Sequence, residues 1–186
     1  MTPQIDQQRS LTDFKKVLLR VNYQTSFGQD LWAVGSTQSL SNWNPNSNGG
    51  RGGIKMTWTE GHNWVAEIPY QTLVQEIMAS GTFEFKFVVK FTEGNNISVQ
   101  RWEGGNENHM FDHDAVKRYF NQSNVQQYVK NNMDNQRNLI IGSFMAGQQG
   151  ELRLKGQIHD DLPQTSRKSI IGYDKQTQAL IYQCFW

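Results

Sequence analysis

Two tryptophans, Trp43 and Trp102, stand in polar and glycine-containing segments rather than in apolar runs. Five of the six tryptophans of the 186-residue chain lie between Trp32 and Trp102, so the indole rings are concentrated in one part of the sequence. A tryptophan in a polar segment is expected on a loop or at a strand end, with its ring exposed. An exposed indole loses water favourably only when a flat, partly apolar partner covers it, and a sugar ring is such a partner. The pattern therefore favours binding over catalysis.

The residues that catalysis or metal binding would need do not form a recognisable set. His109, Asp112, His113 and Asp114 are close in sequence, but zinc sites draw four ligands from fixed elements and calcium loops need oxygens spread over a longer segment. A solvated strand end is the better interpretation. Cys184 has no basic neighbour that would favour its thiolate. The sequence therefore predicts no catalytic residue, no metal site and no cofactor.

Composition narrows the classes of partner. Eighteen basic and seventeen acidic residues give a formal net charge of +1, so no broad field attracts nucleic acid or membrane lipid. The single cysteine excludes an internal disulfide and suits a reducing compartment. Residues 1–10 lack the apolar core of a secretory signal, and no run approaches the roughly 20 apolar residues that cross a bilayer. We therefore expect a cytoplasmic protein that binds neither nucleic acid nor membranes.

The elements that must position the tryptophans have the period of β-strands from residue 14 to residue 112. The clearest strand spans residues 82–90, where three phenylalanines at alternate positions face one side of the sheet and Lys86 the other. About seven short strands at this spacing predict an antiparallel, immunoglobulin-like β-sandwich. The other predicted strands cover residues 17–23, 30–35, 54–58, 64–69, 98–103 and 109–111.

Other segments of this region are predicted from their local composition. Residues 42–53 are rich in glycine and asparagine and predict a long polar loop. Residues 72–79 favour one or two helical turns, weakly. Trp32 and Trp64 lie within strand patterns, so we predict both in the core.

The character of the sequence changes after Asp112. Residues 114–133 carry apolar side chains at helical spacing, although Asn and Ser weaken the pattern. Residues 138–186 again favour short β-strands. We therefore predict a mainly β protein with three parts: a sandwich over 14–112, a helical linker over 113–137, and a small β-rich extension over 138–186 with no assigned role.

Four motifs occur in order within the predicted sandwich. They are FGQDLWAVGS at residues 27–36, LSNW at 40–43, FEFKFV at 83–88 and WEGGN at 102–106. In this order and approximate spacing they resemble the family 20 carbohydrate-binding modules, the starch-binding domains. The resemblance covers roughly residues 14–112. It implies an α-glucan-binding β-sandwich with two sugar sites.

The resemblance assigns residues to the first of these sites. Trp43, Lys86 and Trp102 match the positions where two indoles stack on neighbouring glucose units and a lysine lies beside them. The chemistry of glucose agrees with this assignment, because the ring presents C–H groups on its faces and hydroxyls at its rim. Aromatic planes cover the faces, and polar side chains reach the rim.

Further contacts are implied at both sites. Glu103 matches an acidic neighbour that accepts hydroxyl hydrogen bonds. The family usually has a proline and then an asparagine after the two small residues, where this chain has Asn106 and a glutamate, so Asn106 or Asn108 is the substitute for the usual asparagine. At the second site Phe27 stands where the family favours tyrosine, and Trp58 is the candidate for the other aromatic surface.

These observations lead to the hypothesis of a non-catalytic protein that binds α-1,4-glucan, as starch or glycogen, and places a protein partner there through its C-terminal region. The first alternative is an ancillary module or fragment of a glucan-active enzyme, such as an amylase or a glucan phosphatase, with residues 113–186 as part of the enzyme. The second alternative is a nucleic-acid binder that stacks bases on its aromatic residues. That reading needs a basic groove, which the net charge does not favour.

Overall fold

A computed structural model describes residues 14–105, 107–132, 138–145, 152–154, 168–174 and 176–186. These residues form two β-sheets and a few short helices, which confirms the predicted mainly β sandwich. The strands are β1 (Lys16–Asn22), β2 (Gln29–Gly35), β3 (Ile54–Lys55), β4 (Thr57–Thr59), β5 (Asn63–Pro69), β6 (Glu84–Glu93), β7 (Asn96–Trp102), β8 (His109–Met110), β9 (Asn138–Met145), β10 (Leu152–Leu154), β11 (Lys168–Asp174) and β12 (Ala179–Cys184). The helices are α1 (Ser47–Gly50), α2 (Tyr70–Ser80), α3 (His113–Phe120) and α4 (Ser123–Asn132).

The larger sheet brings distant parts of the chain together. It has seven strands in the order β10-β9-β11-β12-β1-β5-β4. β1 pairs antiparallel with β5, with Val21 opposite Trp64, and parallel with β12, with Leu19 opposite Tyr182. The parallel pair departs from the all-antiparallel expectation. It is possible because a long stretch of chain separates the two strands and provides the crossover that parallel pairing needs.

The smaller sheet has five strands and carries the segments with the candidate site residues. Its order is β3-β2-β6-β7, and β8 pairs with β6. β6 is the central strand, and Phe83 just before it and Phe85 and Phe87 within it are all 0% exposed, as the alternation predicted. Trp64 on β5 of the other sheet is buried in the core, which confirms its prediction. Trp32 on β2 is also buried, but outside the core cluster between the sheets, so its prediction as a core residue is wrong.

The C-terminal strands form part of the same sandwich. Tyr182 on β12 is buried between the sheets, where its ring lies 6.4 Å from that of Phe85 and 5.5 Å from that of Phe111. The Tyr182 hydroxyl donates to the Met110 carbonyl at 2.6 Å. Residues 179–184 therefore complete the core that the sequence had assigned to residues 14–112, rather than standing beside it as an extension.

The helices differ in length from those expected. α2 has eleven residues, because Pro69 precedes it and Gly81, at φ 84°, ends it in the left-handed conformation, where its N–H donates to the Ile77 carbonyl at 2.7 Å. The single helix predicted over 114–133 is two, α3 and α4, with a break at residues 121–122. In the described ranges, no helix is both long and apolar enough to span a membrane.

Candidate binding site

The outer face of the smaller sheet, which points away from the core, carries the first candidate site. Val88 in β6 has Trp32 of β2 opposite it on one side and Trp102 of β7 on the other. Val88 and Trp32 are buried, yet neither belongs to the core cluster between the sheets. Residues 41–53, which we call the Trp43 loop, lie over this face at Lys90 of β6, which donates hydrogen bonds to carbonyls of the loop.

A β-bulge in β7 places Trp102 on this outer face. The residues of β7 before Gln100 pair with β6 in simple register. Continued without interruption, that register would put Trp102 opposite Phe87, whose side chain faces the core. Gln100 is an extra residue that shifts the register by one, and Trp102 lies opposite Val88 instead. Because successive residues of a strand face opposite sides, this single shift exposes the indole.

Trp43 lies in a turn with an unusual backbone. Ser41, Asn42 and Trp43 form one turn of 3-10 helix in which all three have positive φ, at 63°, 49° and 64°. The Gly35 N–H donates to the Leu40 carbonyl at 3.0 Å, so residues 36–40 fold back and the turn begins next to the end of β2. The Trp43 side chain is half-buried. Non-glycine residues adopt positive φ at a cost of about 1 kcal/mol each, so other contacts must stabilise this turn.

Lys90 supplies such contacts from beneath the Trp43 loop. Its Nζ donates to the carbonyls of Pro45 at 2.9 Å, Gly50 at 2.7 Å and Gly52 at 2.7 Å. The same Nζ lies 3.9 Å from the centroid of the Trp32 ring, within range for a cation–π interaction. Lys90 is 0% exposed, and this burial lowers its pKa from 10.5 to about 8.

Glycines allow the Trp43 loop to lie this close to the sheet. A Cβ on Gly50, which has φ 90°, would lie 2.4 Å from the Ile97 carbonyl oxygen of β7. A Cβ on Gly52 would lie 2.1 Å from the Asn44 carbonyl oxygen. A side chain at either position would therefore separate the loop from its partners and displace the carbonyls that Lys90 binds.

The segment that follows Trp102 is held by a second lysine, Lys86, rather than by Lys90. The Lys86 Nζ, half-exposed on the outer face, donates to the Gly105 carbonyl at 2.6 Å. Trp102 itself is 39% exposed. An ammonium carries three N–H donors, so one bond to a carbonyl is compatible with a further bond to a sugar hydroxyl.

Glu103 faces inward, where the resemblance implied a contact with sugar. Its Oε2 lies 2.8 Å from His109 Nε2, and both side chains are 0% exposed. Its Oε1 accepts a hydrogen bond from the Phe87 N–H at 3.2 Å, and its own N–H donates to the Phe87 carbonyl at 2.9 Å. A carboxylate in this position fixes the backbone next to Trp102 and does not reach a sugar on the surface. We therefore leave Glu103 out of the binding surface.

Of the two asparagines predicted to replace the family's usual asparagine contact, the structure describes only Asn108. Asn106 lies outside the described residues. Asn108 is described and half-buried, just before β8. The role of either one as a sugar contact stays a prediction.

The residues of the second predicted site lie elsewhere. Phe27 is fully exposed at the turn before β2, and Trp58 is 50% exposed on β4, the edge strand of the larger sheet. The Trp58 Nε1 donates to His62 Nδ1 at 3.3 Å, and the His62 carbonyl accepts from the Tyr23 N–H at 3.0 Å. Trp58 is thus tied to the connection between β1 and β2 that contains Phe27. The structure brings Trp43, Lys86 and Trp102 to the smaller sheet and leaves Phe27 and Trp58 as a separate aromatic region.

The four residues weighed as metal ligands do not converge on one point, although the exposed Asp114 carboxylate lies 3.8 Å from His113 Nδ1. His109 is buried against Glu103, whereas His113 Nε2 lies 2.6 Å from the Tyr70 hydroxyl. The Asp112 carboxylate accepts from the Ala115 N–H at 2.9 Å, at the start of α3. Across the ranges that the structure describes, no group of three or more His, Cys, Asp or Glu side chains is arranged to hold a metal ion.

Sequence reasoning missed two of the residues that shape this site, Lys90 and His109. One signal for Lys90 was available, because it is a lone charge within the otherwise apolar run from Phe87 to Phe91. A lysine in such a run is either on a solvated face or buried with several acceptors, and composition does not distinguish these. His109 was considered only as a metal ligand, and its pairing with Glu103 depends on a fold contact.

Two comparisons with known proteins found a similarity to this chain. A sequence model of the family described as "Starch binding domain" matches residues 15–122. Among solved structures, the chain is similar to the glycoside hydrolase family 15 glucoamylase from Hypocrea jecorina, with 19% sequence identity and a TM-score of 0.36. That match covers 52% of this chain and 14% of the glucoamylase chain. No curated protein matches the sequence significantly.

Proposed function

The chain belongs to the starch-binding domain family, and from this premise we propose that it binds α-glucan by stacking glucose rings on Trp43 and Trp102. The family match over residues 15–122 supports a non-catalytic, polysaccharide-binding role for this part of the chain. The single observation that carries the site is the pair of solvent-accessible indoles at one face of the smaller sheet, Trp43 on the Trp43 loop and Trp102 at the end of β7. Lys86 lies on the same face and supplies a donor for sugar hydroxyls.

The expected affinity of one site is modest. Two indoles that cover about 150 Å² of apolar surface contribute roughly 4 kcal/mol at about 25 cal/mol per Å². Hydrogen bonds add to this, and the loss of translational freedom subtracts several kcal/mol. The sum of these contributions corresponds to a dissociation constant for one site on the order of micromolar to millimolar. A second site on the same long glucan raises retention through effective concentration.

Retention on insoluble starch tests the proposal. The double variant Trp43→Ala with Trp102→Ala removes both stacking surfaces, and we expect it to pass into the supernatant while wild type sediments. Met78→Ala is the matched control, because Met78 is 82% exposed on α2 and its removal also deletes an exposed apolar side chain. Undiminished retention of the double variant, with a circular-dichroism spectrum like that of wild type, would remove the site assignment.

A second test addresses Phe27 and Trp58 as a separate sugar site. Calorimetric titration with β-cyclodextrin, which mimics a curved turn of glucan, gives the number of sites per chain. If both regions bind, the variant Phe27→Ala with Trp58→Ala changes the stoichiometry from two to one and leaves the affinity at the Trp43 surface unchanged. One site per chain in wild type would exclude this second region.

The wider role remains a set of proposals with separate tests. We propose that glycogen serves as well as starch, since both present α-1,4-linked glucose, and that residues 113–186 carry a contact for a protein partner. A cytoplasmic location stays a prediction. Assays of amylose hydrolysis and phosphate release with the full chain distinguish a binding protein from a unit of a glucan-active enzyme.

A further inference from the structure

We propose that Lys90 is a positioning residue for the sugar-binding surface, holding the Trp43 loop in the conformation that presents Trp43 to a glucan. This inference rests on the proposed function, because it concerns what prepares that same surface. Lys90 is 0% exposed, so it cannot touch a bound polysaccharide. It acts instead through main-chain carbonyls of the loop.

The backbone of the loop explains why a positioning residue is needed. The turn Ser41–Trp43 has positive φ at three successive non-glycine residues. Such a conformation persists only when the surrounding structure enforces it. The Gly53 N–H closes the loop by donating to the Ser41 hydroxyl oxygen, and the three carbonyls bound by Lys90 all lie between these two ends. Lys90 therefore binds the middle of the Trp43 loop, whose two ends are joined by the hydrogen bond between Gly53 and Ser41.

The protonation state of Lys90 decides whether all three bonds can form. An ammonium has three N–H donors, which match the carbonyls of Pro45, Gly50 and Gly52. A neutral amine has two donors and a lone pair, so one carbonyl would lose its bond and face a lone pair. Because burial lowers the pKa of Lys90 to about 8, this change occurs in a pH range where the fold can be studied.

The charged groups around Lys90 have partners of their own or lie at the surface. On β2 its register partner is Asp30, whose carboxylate lies 3.7 Å from the Lys55 Nζ of β3. On β7 its register partner is Val99. The Trp43 loop contains one charged residue, Arg51, which is exposed. The loop carbonyls are therefore the groups that respond most directly to the charge of Lys90.

Titration of the full chain with β-cyclodextrin at several pH values tests the proposal. From about pH 7 to about pH 9.5, we expect wild type to lose affinity at the Trp43 surface by roughly fivefold to tenfold. Lys90→Met keeps a linear side chain over Trp32 and removes the donors. It should bind about tenfold more weakly at pH 7 and show no further loss as the pH rises. Since other groups titrate equally in both proteins, the difference between the two profiles belongs to Lys90.

A double-mutant comparison shows whether Lys90 acts through Trp43. In a Trp43→Ala background, Lys90→Met should cause little additional loss of retention on starch, because the residue it positions is already absent. An undiminished effect of Lys90→Met in that background would overturn the positioning role, as would wild-type affinity that is the same at both ends of the pH range.

Amide hydrogen exchange separates failure of this proposal from failure of the proposed function. The amides of Gly50 and Gly52 donate to loop carbonyls within the Trp43 loop, and we expect their protection to fall in Lys90→Met relative to wild type at the same pH. The amides of β1 and β5 serve as the reference for global folding. If wild type binds no glucan but the Trp43 loop loses protection in Lys90→Met, the proposed function fails and the positioning role of Lys90 stands. If the protection of the loop is the same in both proteins, the positioning role is wrong. Should Lys90→Met not fold, wild type at low and high pH gives the same comparison.

Discussion

The two segments that carry the indoles border the same face of the smaller sheet but are fixed in different ways. The Trp43 loop is held at three main-chain carbonyls by one buried cation, Lys90. The segment after Trp102 has one carbonyl bound by the half-exposed Lys86, and it is anchored in the interior by its own side chain, since Glu103 turns inward to His109. The first arrangement depends on the backbone path of the loop, and the second depends on the identity of two residues.

This difference indicates where each segment tolerates change. Carbonyls belong to every residue, so the Trp43 loop can vary in side chains wherever its path is kept, except at Trp43 itself and at Ser41, whose hydroxyl closes the loop. Gly50 and Gly52 permit that path and cannot change either. The Trp102 segment is sensitive to substitution at the buried pair itself. The variants below test this contrast, from the largest expected effect on stability to the smallest.

Removal of the buried carboxylate should be the most damaging change. Glu103→Leu deprives the Phe87 N–H and His109 of an acceptor in the protein interior. Each buried polar group left without a partner costs about 1–3 kcal/mol, so we expect a loss of about 3 kcal/mol in the free energy of unfolding. Urea denaturation measures it. Glu103→Gln is the control, because it keeps one acceptor oxygen, and it should lose less. Equal stability of the leucine variant and wild type would contradict the assigned role of the pair.

A methyl group in the Trp43 loop should weaken both binding and stability. Gly50→Ala combines a positive φ with a Cβ 2.4 Å from the Ile97 carbonyl oxygen, so the loop must move. We expect a loss of about 2 kcal/mol and at least about tenfold weaker binding of β-cyclodextrin. Gly81→Ala has a similar φ of 84° but no atom within 4 Å of its Cβ. This control should lose about 1 kcal/mol and keep its affinity. Equal affinity in the two variants would argue against a role for the loop.

Loss of the half-exposed lysine should have a smaller effect. Lys86→Met removes one bond to the Gly105 carbonyl and a donor for sugar hydroxyls. We expect a change in stability within about 0.5 kcal/mol and a threefold to tenfold weaker affinity, on the order of one hydrogen bond. Calorimetry on the same preparation gives the affinity. An effect larger than that of Lys90→Met would reverse the ranking of the two lysines.

A pH dependence of stability, which is a slope rather than a single loss, should distinguish Lys90 beneath the Trp43 loop. The pKa of Lys90 is about 8 in the fold, against an ordinary value of 10.5. Between these values the unfolded chain binds more protons than the folded one, so the contribution of Lys90 to stability rises with pH across that window. The free energy of unfolding of wild type minus that of Lys90→Met should therefore increase from about pH 8 to pH 10.5. A flat or falling difference would contradict the lowered pKa.

Local sequence pattern predicted the elements of the sandwich better than their connections. The alternating phenylalanines of β6 predicted both the strand and its buried face, because period two is a local property. The partner of β1 was not predictable, since the parallel pairing with β12 joins segments at opposite ends of the described chain. The first candidate site shows the same division. The exposure of Trp102 followed from its polar neighbours, whereas the inward turn of Glu103 depended on His109 and the core.

The bulge at Gln100 ties two properties of β7 to a single count of residues. With the extra residue present, the indole at 102 is outside and the carboxylate at 103 is inside. Were the bulge lost with Gln100 kept in the ladder, Trp102 would lie opposite Phe87 and residues 102 and 103 would exchange sides, which would bury an indole among the phenylalanines and bring a carboxylate to the surface. Recognition and interior packing would then fail together, although every side chain of the site was still encoded. Removal of Gln100 together with the bulge would instead leave Trp102 opposite Val88, so the segment depends on its register and not on the Gln100 side chain.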